Sequence, residues 1–101
     1  MAVTDEIPAV AAQLTVRPNP FNPRTWIASD LPAAATVTVT VHDTRGRVVR
    51  RLVTGEQRTA GHHQLLWDGN DGGGRALPSG VYFARLDTGV QVLTRKMTLL
   101  R

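Results

Sequence analysis

Seven residues, Arg17-Pro18-Asn19-Pro20-Phe21-Asn22-Pro23, constrain this chain more than any other stretch. Three prolines around one aromatic exclude both a helix and a central strand. Each proline holds φ near about −65°, removes a backbone donor, and pushes the residue before it toward extended geometry. The run is therefore a stiff connector of defined shape. Phe21, held between Pro20 and Pro23, is placed to act as a plug that pins the segment over the rest of the domain.

The remainder of the chain, on both sides of this run from Leu14 on, reads as β. Leu14-Thr15-Val16 is a short strand that stops at Pro18, and Trp26 to Leu31 is a second that stops at Pro32. Thr36 to Val41 alternates without a break, with Val37, Val39 and Val41 on one face and threonines on the other, as a half-buried strand requires. Asp43-Thr44-Arg45-Gly46 is a turn, and Val48 to Val53 is the returning strand, with Val48, Arg50 and Leu52 on one face. Thr54 to Gly61 reads as a polar connection. His62 to Trp67 puts His63, Leu65 and Trp67 on one side, so Trp67 is a core anchor. Asp68 to Pro78 is the longest loop, Gly80 to Leu86 a strand, and Val90 to Leu100 a last strand or a bulged pair. About seven strands at this spacing predict an all-β, immunoglobulin-like antiparallel sandwich over 14–101. Residues 1–13 have no period and read as a linker or engineering remnant, with room for a helical turn over 9–12.

A chain of 101 residues supports one domain with a modest core. It has no cysteine, so disulfides and thiolate metal sites are excluded. The formal charge is +4, and eleven of the twelve basic residues are arginine, scattered beside turns and along strands rather than clustered among aromatics. That distribution argues for a solvated surface and against a nucleic-acid partner. No stretch approaches the ~20 apolar residues of a membrane-spanning helix, and 1–13 lacks the pattern of a signal peptide. If exported, the sequence is expected to travel as part of a larger precursor.

The chemistry-bearing side chains do not assemble into a catalytic set. Asp68, Asn70 and Asp71 in the glycine-rich loop are weak calcium candidates, because Gly72 and Ser79 stand where a calcium loop needs an oxygen ligand and a glutamate. Adjacent His62 and His63 point to opposite faces and cannot chelate one ion. Ser29 and Ser79 lie in no nucleophile elbow. Lys96, the one lysine, reads as a charged strand edge rather than half of a Lys–Asn cross-link. The expectation is a non-catalytic domain without a cofactor.

The residues Asn19, Pro20, Phe21, Asn22 and Pro23, then Leu31-Pro32, Asp43 to Arg47, Ala60-Gly61-His62, Trp67-Asp68-Gly69, Ser79-Gly80-Val81-Tyr82-Phe83 and Lys96-Met97 fall in a telling order. Together they resemble the C-terminal sorting domain of type IX secretion substrates. They equally resemble the immunoglobulin-like domain of the flagellar hook-capping protein FlgD. The sequence departs from the pattern at His42 and Ser29, where relatives often carry aromatics. The resemblance implies a secreted or cell-surface location and a folded module recognised by secretion or surface-anchoring proteins, placed after another domain of the same precursor. Two alternatives remain: an FlgD-like structural scaffold, and an accessory carbohydrate-binding or adhesion sandwich, which Trp26 and Tyr82 exposed on one flat face would favour.

Overall fold

The computed structural model describes residues 11–101. It contains seven strands: β1 (Gln13–Arg17), β2 (Thr25–Leu31), β3 (Ala35–His42), β4 (Val48–Arg58), β5 (Gly61–Trp67), β6 (Gly80–Asp87) and β7 (Val92–Leu99). They form two antiparallel sheets, in the orders β1-β2-β5 and β4-β3-β6-β7. The immunoglobulin-like sandwich expected from the sequence is the observed fold. Most of the region read as a linker lies outside the described residues; of the helical turn considered for 9–12, Ala11 and Ala12 are described and are not helical. Ala12 and Gln13 join the domain: Ala12 is buried, its N–H donates to the side-chain oxygen of Gln91, and Gln13 opens β1.

The two inner faces interdigitate as alternation along each strand dictates. Leu14, Ile27, Leu31 and Trp67 from the first sheet meet Val37, Val39, Val41 and Leu86 from the second, and all are buried. β3, the clearest strand in the sequence, is central and pairs on both sides. Val90 to Leu100 resolves to one strand, β7, at the edge of its sheet.

β4 departs from the sequence reading in two ways. It runs on to Arg58, so Glu56, Gln57 and Arg58, in the stretch read as a polar connection, pair with Val37, Thr36 and Ala35. Backbone ladders need no apolar side chains, and at a sheet edge both faces beyond the core are wet. Irregularities in the β3–β4 register also break simple alternation. Val53 is buried with Val49 and Leu52 packed beside it, whereas Val48 is exposed.

Candidate functional site

The proline run ends up beside the last strand. Its three X-Pro bonds, at Pro18, Pro20 and Pro23, are cis. The Asn19 side chain donates to the carbonyl of Lys96 at 2.8 Å and accepts from the Thr98 N–H at 3.0 Å, so one amide group imitates a neighbouring strand. Two residues on, the Phe21 N–H donates to the Thr98 carbonyl at 2.9 Å, and the Leu100 N–H donates to the Phe21 carbonyl at 2.8 Å. This forms a parallel bridge between Phe21 and Leu99. The run is therefore more than a connector. It satisfies outward backbone groups of Lys96, Thr98 and Leu100 and closes the C-terminal part of the β7 edge, which would otherwise invite pairing.

Below that seam the Phe21 ring is buried against Trp67, with centroids 5.6 Å apart. Trp67 in turn meets Tyr82 edge-on at 5.7 Å. Each polar tip is satisfied: the Trp67 indole N–H donates to the Asn70 carbonyl, and the Tyr82 hydroxyl donates to the Pro78 carbonyl at 2.7 Å. A strand tyrosine tied four residues back in this way locks the corner of an immunoglobulin-like sandwich. Desolvation raises the Tyr82 pKa above its ordinary 10.0, against a smaller opposing effect of Arg101.

Arg101 completes the arrangement, and no pattern in the sequence announces it. Its N–H donates to Ser79 Oγ at 2.8 Å, and its guanidinium donates to the carbonyls of Leu77 and Gly69. Gly69 has φ +78°, and a Cβ there would stand 2.9 Å from both Arg101 Nη2 and the Pro23 carbonyl. Asn19, Phe21, Pro23, Trp67, Gly69, Ser79, Tyr82 and Lys96 thus converge on one end of the sandwich. Asn19, Pro20, Asn22, Ser79 and Lys96 are exposed there, and Gly80 opens β6 beside them.

The loop that suggested calcium is organised around an arginine. Nη1 of Arg50 lies 3.3 Å from Asp68 Oδ1, 3.1 Å from the Asn70 carbonyl and 3.4 Å from the Asp71 carbonyl. A guanidinium already fills the place where those oxygens converge. Asp71 Oδ1 accepts from the N–H groups of Arg75 and Gly73, which outweigh desolvation and hold its pKa below the usual carboxylate value.

The histidines are likewise committed to local bonds. His42 accepts from the Thr40 hydroxyl through Nε2 and donates to the Gly46 carbonyl through Nδ1, closing the β3–β4 turn. His63 donates to the Thr59 carbonyl, while His62, on the opposite face, donates to Asp30. Lys96 is exposed on an edge strand, as its charge suggested, and lacks the buried setting of a core cross-link. Tyr82 is buried while Trp26 is 47% exposed, so the two do not share an open face.

The sequence profile of the FlgD Ig-like domain matches residues 24–89. The chain is 50% identical over 46 residues to the basal-body rod modification protein FlgD of Salmonella typhimurium LT2, a stretch covering 46% of this chain and 19% of that protein. It thus spans about a fifth of the length of the curated relatives it matches. Among solved structures it is similar to dimeric latent PorU from Porphyromonas gingivalis, with TM-score 0.70 and 18% identity over 89% of this chain and 9% of that one. It is also similar to PorZ, a bacterial surface component of the type IX secretion system of the same organism, with TM-score 0.59 and 22% identity over 87% of this chain and 11% of that one.

Proposed function

The chain belongs to the FlgD Ig-like domain family, and from that premise we propose that it is a non-catalytic terminal module of a larger exported protein, acting as a sorting and surface-anchoring signal read by partner proteins. One observation carries the reading: the proline run, the Trp67-Asp68-Gly69 turn, the start of β6 and the end of the last strand meet at one end of the sandwich. Asn19 and Phe21 bond to Lys96, Thr98 and Leu100, and Arg101 bonds to Ser79 and Gly69. A partner would meet a preorganised shape, so little ordering entropy is lost on recognition. The likeness to PorZ and PorU, where the matched region is a small part of a much longer chain, supports an appended module.

The test is to fuse residues 11–101 behind a reporter in a bacterium with type IX secretion. The reporter should reach the surface, and removal of Lys96 to Arg101 should hold it inside. Intracellular retention of the intact fusion, unchanged by that removal, would sink the proposal. A second reading, a structural scaffold within a flagellar assembly, draws on the identity to Salmonella FlgD. Replacing the matching region of that protein with residues 11–101 and scoring motility decides for or against it.

A further inference from the structure

Independently of that reading, the outer face of the β1-β2-β5 sheet carries a second arrangement. Alternation along β2 turns Ile27, Ser29 and Leu31 inward and Trp26, Ala28 and Asp30 outward, with Ala28 covered by its neighbours yet outside the core cluster. The register then builds three cross-strand rows: Arg17, Trp26 and Leu66; Thr15, Ala28 and Gln64; Gln13, Asp30 and His62. The middle row is low, because Ala28 has only a methyl group, and it lies between a wall headed by the Trp26 indole and a wall headed by Asp30. The result is a trough of about 440 Å³. Trp26 and Asp30 are four residues apart, or roughly 13 Å along the strand.

The polar groups of the trough are already set. Gln64 Nε2 donates to His62 Nε2 at 3.2 Å, and His62 Nδ1 donates to Asp30 Oδ1 at 2.9 Å. This relay fixes the imidazole tautomer and leaves Asp30 Oδ2, the Gln64 carbonyl oxygen and one Gln64 N–H without a hydrogen bond among the described residues. Facing them is an aromatic plate whose ring is half exposed. Arg17 and Asp30 offset each other, so the trough has no net formal charge apart from His62.

We propose that this trough binds a neutral saccharide, one sugar ring lying against Trp26 beside Arg17 and an adjoining ring with its hydroxyls bonded to Gln64 and Asp30. The C–H face of a pyranose complements an indole, and its hydroxyls are both donors and acceptors, as are the groups of this relay. A phosphate-bearing polymer would meet the Asp30 carboxylate and would want clustered cations instead.

Trp67 is fully buried and Trp26 is not, so a ligand-induced shift of tryptophan emission reports on Trp26. The full chain is titrated with cello-, xylo-, chito- and manno-hexaose. At least one should give a saturable blue shift, weakened about tenfold or more by Trp26→Ala and by Ala28→Gln, which fills the trough floor without touching the core. Arg85→Ala, on the outer face of the other sheet, should leave affinity unchanged. Melting curves establish that each variant is folded. The proposal is overturned by absence of saturation to about 10 mM with all four sugars, by affinity that both trough variants leave intact, or by a thymidine oligonucleotide binding the same face more tightly than any sugar.

Discussion

The Phe21 ring lies 5.6 Å from the Trp67 ring, tilted by 54°, although 46 residues separate them and Phe21 belongs to no strand. A buried aromatic there makes the proline run part of the core. Phe21→Ala should cost about 3–5 kcal/mol, and Val90→Ala, at a site 91% exposed, should be within about 0.5 kcal/mol of the parent. Urea unfolding monitored by tryptophan emission measures both; equal midpoints would reduce the run to a spacer.

Asn19 and Asn22 look alike in sequence and should behave differently. Asn19 bonds twice to β7, whereas Asn22 is exposed. In Asn19→Ala the amide of Thr98 should exchange with solvent at least about tenfold faster, and in Asn22→Ala its rate should be unchanged. Hydrogen exchange read by NMR distinguishes them.

Gly69 and Arg101 are expected to couple. Gly69→Ala forces a Cβ into a left-handed backbone position and against the Pro23 carbonyl and Arg101, costing about 1–3 kcal/mol or more. Arg101→Ala removes the bonds to Leu77 and Gly69 at about 1–3 kcal/mol. The double variant should lose less than the sum, because the first change already displaces the guanidinium. Strict additivity in denaturant melts would contradict the shared clasp.

Tyr82 is the one tyrosine in the chain, so absorbance of its phenolate is unambiguous. Alkaline titration should show a midpoint above 10.0, from desolvation of the buried ring. Since the folded value is raised, the stability it represents is complete below pH 10 and lost as pH rises through the folded value. A midpoint at or below 10.0 in the folded protein would mean that the corner is open.

At the acid end the two turn aspartates act in the other direction. For Asp43, desolvation is opposed and outweighed by the Arg47 N–H and guanidinium and the Arg45 N–H, and for Asp71 the Arg75 N–H leads; both pKa values fall below 3.8. Their contribution is present above the unfolded value and disappears as pH falls through the folded ones. Asp43→Asn with Asp71→Asn should flatten part of the decline in urea midpoint between about pH 4 and 2. An unaltered decline would show that neither turn depends on its charge.

Strands and core were readable wherever alternation was strict, as in Thr36 to Val41, or wherever one residue type had only one plausible use, as with Trp67. The reading failed where both choices were chemically similar. Trp26 faces outward because its neighbours Ile27 and Leu31 claim the core, yet Ser29 faces inward with them, so the pattern of β2 alone is ambiguous. The polar end of β4 was invisible because its pairing is carried by backbone. Arg50 and Arg101 were missed for a different reason. Nothing local distinguishes an arginine that gathers loop carbonyls from the nine others, and only the folded chain brings those carbonyls to it.

β1 and β7 run the same way, so Ala12 enters at one end of the sandwich and Arg101 leaves at the other, with Arg95 bonded to the Leu14 carbonyl and Phe21 bridged to Leu99 between them. Tension applied across the module therefore pulls these contacts lengthwise and in concert, not one after another as in peeling. A tethered cargo would be held by a joint that slips only when the whole seam shears, which single-molecule extension should register as one abrupt rupture.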